Sequence, residues 1–153
     1  LVKSDINNIV ASGVSVLSNK IDMANARIEF TNGCVANLTA SRISQKQLRK
    51  FRVFENNKYT NIDFLHPSQE TYILDKHKPN KQSPYVIVSE NQDKYIIYNK
   101  SKIKPYNALT LELDNFIDSI LNQKKPLVSA YDGLADIEVA FKILKQINLN
   151  NNK

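Results

Sequence analysis

Few side chains in this sequence could do covalent chemistry, and their spacing does not bring them together. Cys34, the single cysteine, would need a nearby base to act as a nucleophile. The only histidines, His66 and His77, fall in separate loop-like stretches, one before Pro67 and one between lysines. Each reads as solvent-exposed, and this set cannot supply a metal site. Asp132 and Asp136 are spaced i, i+4 on a helical pattern, but beside a helix start and on its outer side, where they read as surface charge. Three glycines in all, Gly13, Gly33 and Gly133, cannot build a phosphate-cradling G-x-G-x-x-G turn. The residues themselves therefore offer no catalytic, cofactor-binding or metal-ligating candidate.

A second kind of chemistry is non-covalent. The net charge is +6, and much of the excess lies in Arg42, Lys46, Arg49, Lys50, Arg52 and Lys58, opposed by Glu55 alone. Between Leu48 and Glu55 these cations mix with Phe51 and Phe54, the composition of a nucleic-acid stacking platform. The competing reading is an edge strand protected by charge. Alternation favours the edge strand: Phe51 and Val53 face one way, while Lys50, Arg52 and Phe54 face the other, so one strand presents too few aromatics on one face.

The elements that position these residues are strands first and helices last. Ala24 to Phe30 and Cys34 to Ser41 form a hairpin around Thr31-Asn32-Gly33. A two-residue Asn-Gly loop would scramble apolar and polar residues on both faces. A three-residue loop pairs Phe30 with Cys34 and separates them: Ala24, Ala26, Ile28, Phe30, Cys34, Ala36, Leu38 and Ala40 on one face, and Asn25, Arg27, Glu29, Val35, Asn37, Thr39 and Ser41 on the other. This predicts Gly33 in the left-handed region, closing a G1 bulge. The four alanines invite close approach by another layer, and Cys34 reads as a small core residue. The polar face is either solvated or reserved for a ligand or partner.

Further strands are predicted at Ile9 to Leu17, Leu48 to Glu55, Lys58 to Leu65, Glu70 to Asp75, Tyr85 to Glu90 and Lys94 to Asn99. Turns fall at Asn56-Asn57 and Asn91 to Asp93, and a loop at Lys76 to Pro84. Leu109, Leu113, Phe116, Ile117 and Ile120 mark a first amphipathic helix, stopped by Pro126. Ser129 and Asp132 fit a capping box opening a second, with Ile137, Ala140, Phe141, Leu144 and Ile147 on its apolar stripe. The expected fold is α+β: a mostly antiparallel sheet with the C-terminal helices packed on one face. The expected domain is residues 1–147, with 148–153 a frayed tail.

The chain has 153 residues, 42% of them hydrophobic, which suits a domain with a core. No apolar run reaches the ~20 residues needed to span a bilayer. A lone cysteine and no visible secretory signal suit a reducing, cytoplasmic setting. The abrupt Leu1-Val2-Lys3 start reads as a boundary inside a longer protein.

Two stretches resemble the Gfo/Idh/MocA dehydrogenases. Ala24-Asn25-Ala26-Arg27-Ile28-Glu29-Phe30 followed by Asn32-Gly33, Ala36 and Ser41-Arg42 is similar to the hairpin of that family. Leu111-Glu112-Leu113, Phe116-Ile117, Pro126, Val128-Ser129 and Asp132-Gly133 are similar to its ending. The resemblance implies the carboxy-terminal sheet domain of an NAD- or NADP-dependent oxidoreductase, whose partner is its own N-terminal Rossmann domain. It implies reversible oxidation of a secondary alcohol of a sugar, nucleotide sugar or polyol. The family's proton-transfer lysine in its E-K-P motif and its assisting histidine have no counterpart in this sequence, so no catalytic residue is carried over. The sheet domain would form one wall of the substrate site, with its open face building a homo-oligomer. Asn37, Thr39, Ser41 and Arg42 are then the substrate-side candidates, and an equal alternative places them at a subunit interface. A stand-alone binding module and a basic nucleic-acid binder remain as other readings, with nucleic acid the disfavoured partner.

Overall fold

The computed structural model describes the backbone of residues 2–76, 85–88 and 95–151. His77, most of the expected loop from Lys76 to Pro84, and the turn at Asn91 to Asp93 lie outside the described residues. The chain divides into two compact units, Leu1–Gln45 with Glu112–Lys153, and Lys46–Leu111. The antiparallel pairing expected of one sheet is accordingly distributed over two hydrogen-bonded sheets, separated after Ser41.

The first unit holds a sheet of order β1-β2-β3, formed by β1 (Ile6–Val14), β2 (Met23–Phe30) and β3 (Val35–Ser41). The β2–β3 hairpin has the register that hydrophobic segregation predicts. Ala26 pairs with Leu38 and Ile28 with Ala36. The Phe30 N–H donates to the Cys34 carbonyl at 2.9 Å, and Gly33 has φ +82°. The asparagine before it closes the turn, its Oδ1 accepting the Cys34 N–H at 3.0 Å.

Helix α2 (Ala130–Asn151) lies on β1. Ile147 is fully buried against Ala11 and Ala26, with Ile9, Ile21, Ala24 and Ile143 around them. Small residues make this approach possible. A Cβ on Gly13 would stand 2.9 Å from Cγ2 of Ile21 and 3.0 Å from Cγ2 of Ile147. The helix does not end at 147. It continues through Asn150, whose amide donates to the Ala11 carbonyl at 3.0 Å and joins the last turn to β1. Its start is the capping box: the Ser129 N–H donates to Asp132 at 2.8 Å and the Asp132 N–H to Ser129 Oγ at 3.3 Å.

Helix α1 (Ala108–Leu121) ends in a Schellman-type turn. Gln123 takes φ 51°, the Lys124 N–H reaches the Ser119 carbonyl at 2.8 Å, and the Gln123 N–H reaches that of Ile120 at 3.3 Å. Of the two helices only α2 supplies the expected layer on the sheet; α1 buries Ser119 and leaves Leu113, Phe116, Ile117 and Ile120 exposed. On α2, Leu134, Ile137 and Phe141 are exposed as well. Cys34 is exposed rather than buried, because it sits on the last rung of the hairpin, beyond the reach of α2.

The second unit is a five-stranded antiparallel sheet of order β4-β5-β6-β8-β7. Its strands are β4 (Lys50–Phe54), β5 (Lys58–Asp63), β6 (Ser68–Asp75), β7 (Tyr85–Val88) and β8 (Tyr95–Lys102). The Asn56-Asn57 turn is closed by the Glu55 N–H on the Lys58 carbonyl at 2.8 Å.

Candidate functional site

Alternation places Asn37, Thr39 and Ser41 on the face of β3 opposite α2, all exposed. Thr39 donates its hydroxyl to Asn25 Oδ1 at 2.9 Å across the strand pair. Asn37 stands opposite Arg27, which is paired with Glu29 at 3.1 Å. Ser41 accepts the Ile43 N–H at 3.3 Å and meets Ser44 Oγ at 2.8 Å. Val10 and Val14 of β1 complete this face and are 55% and 53% exposed. It is a mild surface of amides, hydroxyls and a few apolar groups, with its one cation neutralised locally.

Arg42 departs from the other candidates. Its guanidinium is bound to the Asp22 carboxylate through Nε and Nη2, and Nη2 also donates to Ser18 Oγ at 2.7 Å. Asp22 is the residue that the sequence reading missed. Its side chain is fully buried, and Oδ2 accepts the N–H groups of Val16 and Leu17, each at 2.7 Å. These backbone hydrogen bonds, joined by Arg42, outweigh desolvation and lower its pKa from 3.8 to about 2. The backbone repeats the link, since the Arg42 N–H donates to the Asp22 carbonyl at 3.0 Å. The guanidinium remains half-exposed. Arg42 is thus fixed at the end of β3, beside Ser41 and with one edge open. The sequence signal was an aspartate closing the polar β1–β2 turn, opposite an arginine just past β3.

A second constellation lies in the other unit. Phe54, Tyr59, Tyr72 and Tyr98 are successive register partners across β4, β5, β6 and β8. Their rings form a ladder with centroids 4.6, 5.5 and 4.9 Å apart. The next row on the same face is Arg52, Asn61, Glu70 and Lys100. Glu70 accepts from Lys100 at 3.0 Å, Asn61 at 3.1 Å and Tyr98 at 3.3 Å, and its pKa is lowered, first by Lys100 and then by Asn61. The Tyr98 phenol is raised by desolvation and by that carboxylate, so it is no ready proton donor. Along one strand the sequence offers too few aromatics on a face to form a stack. The structure supplies them across strands, where only register reveals them.

His66 is exposed, as expected, and lines a cleft of about 450 Å³ with Lys46, Lys50 and Asp63. Asp63 accepts the N–H groups of His66 at 3.0 Å and Leu65 at 2.9 Å and meets Lys50 at 3.6 Å. No group of three or more His, Cys, Asp or Glu among the described residues could hold a metal. Gly13 is within β1, Gly33 in a hairpin and Gly133 inside α2, so no glycine of this chain opens a helix directly after a strand. No helix among the described residues is long and apolar enough to cross a membrane.

No family model matches the chain. A UDP-N-acetylglucosamine 3-dehydrogenase from Acidithiobacillus ferrooxidans is 38% identical over 65 residues, which is 42% of this chain and 21% of that protein. The solved structure of that dehydrogenase superposes on 94% of this chain with a TM-score of 0.76 at 23% identity, and is itself covered to 41%. An NAD-binding protein from Listeria innocua superposes on 98% with a TM-score of 0.65 at 18% identity, again covered to 41%. An aldose-aldose oxidoreductase from Caulobacter crescentus superposes on 93% with a TM-score of 0.64 at 19% identity, covered to 39%. The chain has the α+β fold found in these Gfo/Idh/MocA-type oxidoreductases, and it spans about two fifths of their length.

Proposed function

We propose that this chain is the substrate-side and assembly domain of a nicotinamide-dependent dehydrogenase that oxidises a secondary alcohol of a sugar, nucleotide sugar or polyol. The observation that carries this reading is the match over 94% of the chain to 41% of a UDP-N-acetylglucosamine 3-dehydrogenase. The hydride would leave the carbinol carbon for the nicotinamide, and the hydroxyl proton would pass to a base outside these residues. NAD or NADP would be held by a Rossmann domain joined to this one.

The exposed apolar stripes support that partner. Leu113, Phe116 and Ile117 on α1 and Leu134, Ile137 and Phe141 on α2 are each more than half exposed, an arrangement that soluble chains cover with a neighbouring domain or subunit. Asn37, Thr39, Ser41 and the open edge of Arg42 are the polar groups through which β3 would contact a sugar or a second subunit. A homo-oligomer through the open sheet face and a cytoplasmic setting belong to the same reading.

The test is a panel of sugars, nucleotide sugars and polyols offered to the full-length protein with NAD or NADP. Formation of reduced nicotinamide with a member of the panel is expected. Absence of reduction with every member, together with absence of NAD(P) binding, overturns the reading.

A further inference from the structure

The aromatic ladder of the second unit has an open end. Each inner ring is covered on both sides by its neighbours. Phe54 is covered on one side only, because β4 is an edge strand of this sheet, and it remains 75% exposed. A ring that presents a free π-face at the end of a preformed stack is a platform for one further planar ring. The order of side chains beyond it is specific. On the same face of β4 come Arg52 and then Lys50, each about 6.6 Å further along the strand. Arg52 makes no ion pair among the described residues, and Lys50 lines the cleft that also holds Lys46 and His66.

We propose that this face of β4 binds the nucleoside diphosphate part of a nucleotide sugar, with the base stacked on Phe54 and the phosphates held by Arg52 and Lys50. This rests on the dehydrogenase reading for its choice among ligands, and it selects nucleotide sugars over free sugars and polyols. Charge favours the assignment. The carboxylates nearby are Asp63, which is engaged by Lys50 and two backbone N–H groups, Glu55, which is paired with Lys58 at 3.8 Å, and Glu70 in the row of Arg52, which is engaged by Lys100, Asn61 and Tyr98. A second copy of the strand is a poorer occupant, because antiparallel β4–β4 pairing would bring arginine and lysine side chains of like charge together.

The experiment is calorimetric titration of the full-length protein with UDP, uridine, inorganic phosphate and oligothymidylate. It is repeated for Phe54→Ala, Phe54→Leu and Arg52→Gln, with tyrosine ring resonances followed as a check on the fold. Saturable binding of UDP is expected, weakened roughly tenfold or more in both Phe54 variants. Arg52→Gln should weaken UDP and leave uridine nearly unchanged. Absence of UDP binding, or equal UDP affinity in wild type and Phe54→Leu, overturns the proposal. So does oligothymidylate binding with the salt slope of many phosphates and a higher affinity than UDP, since that is a single-strand surface. Turnover separates the two readings. Oxidation of free sugars without UDP binding removes this site and leaves the dehydrogenase. UDP binding without any nicotinamide reduction does the opposite.

Discussion

The carboxylate of Asp22 is fully buried and holds the guanidinium of Arg42 from below, while its second oxygen accepts the N–H groups of Val16 and Leu17. One side chain thereby closes the β1–β2 turn and fixes the residue that follows β3. The Asp22 pKa in the fold is about 2 against an ordinary 3.8. A carboxylate depressed on folding stabilises the fold fully above its unfolded pKa. That contribution fades as the pH falls through 3.8 and is lost near 2. Thermal melts of the wild type should therefore drop steeply across this window. Asp22→Asn should melt lower at neutral pH and show a shallower acid slope. Equal slopes in the two proteins would refute the coupling.

Arg42→Ala is expected to act on stability before it acts on substrate, because it removes a partner of a buried charge. Asn37→Ala and Thr39→Ala remove exposed groups and should shift stability by only about 0.5 kcal/mol. Chemical denaturation separates the two classes. A large loss in the Thr39 variant and none in the Arg42 variant would reverse the assignment.

Gly13 and Ile147 should be coupled. A Cβ at Gly13 meets the Ile147 side chain at 3.0 Å, so Gly13→Ala should cost about 1–3 kcal/mol by overpacking. Ile147→Ala alone should cost about 2–5 kcal/mol. The double variant should recover part of the sum, which a double-mutant cycle measures. Strict additivity would mean that α2 does not press on β1 at this point.

The helix ends offer two opposite changes. Ser129→Ala removes the capping box and should destabilise by ~1 kcal/mol. Gln123→Gly relieves a left-handed residue and should stabilise by up to ~1 kcal/mol. Urea titrations with an unchanged slope report both.

Much of the first unit was legible in the sequence because its signals are local. The β2–β3 register followed from which residues alternate, and the capping box from Ser129 and Asp132. Features that depend on partners distant in the chain were not legible. Asp22 carries no local motif, and its role depends on Arg42, twenty residues away. The Phe54–Tyr59–Tyr72–Tyr98 ladder needs three strand registers at once. Cys34 looked buried by parity, yet parity says nothing about how far a covering helix reaches. The hold of Asn150 on Ala11 was hidden by a composition that reads as a polar tail.

The central claim is that the polar face of β3 forms part of a sugar-oxidising site. Steady-state kinetics of the full-length protein on UDP-N-acetylglucosamine with NAD, for wild type, Asn37→Ala and Ser41→Ala, test it most directly, with sedimentation run in parallel. Nicotinamide reduction by the wild type, with raised KM or lowered kcat in the variants and an unchanged oligomer, is the expected result. Unchanged kinetics with an altered oligomer would move this face to a subunit interface and contradict the claim.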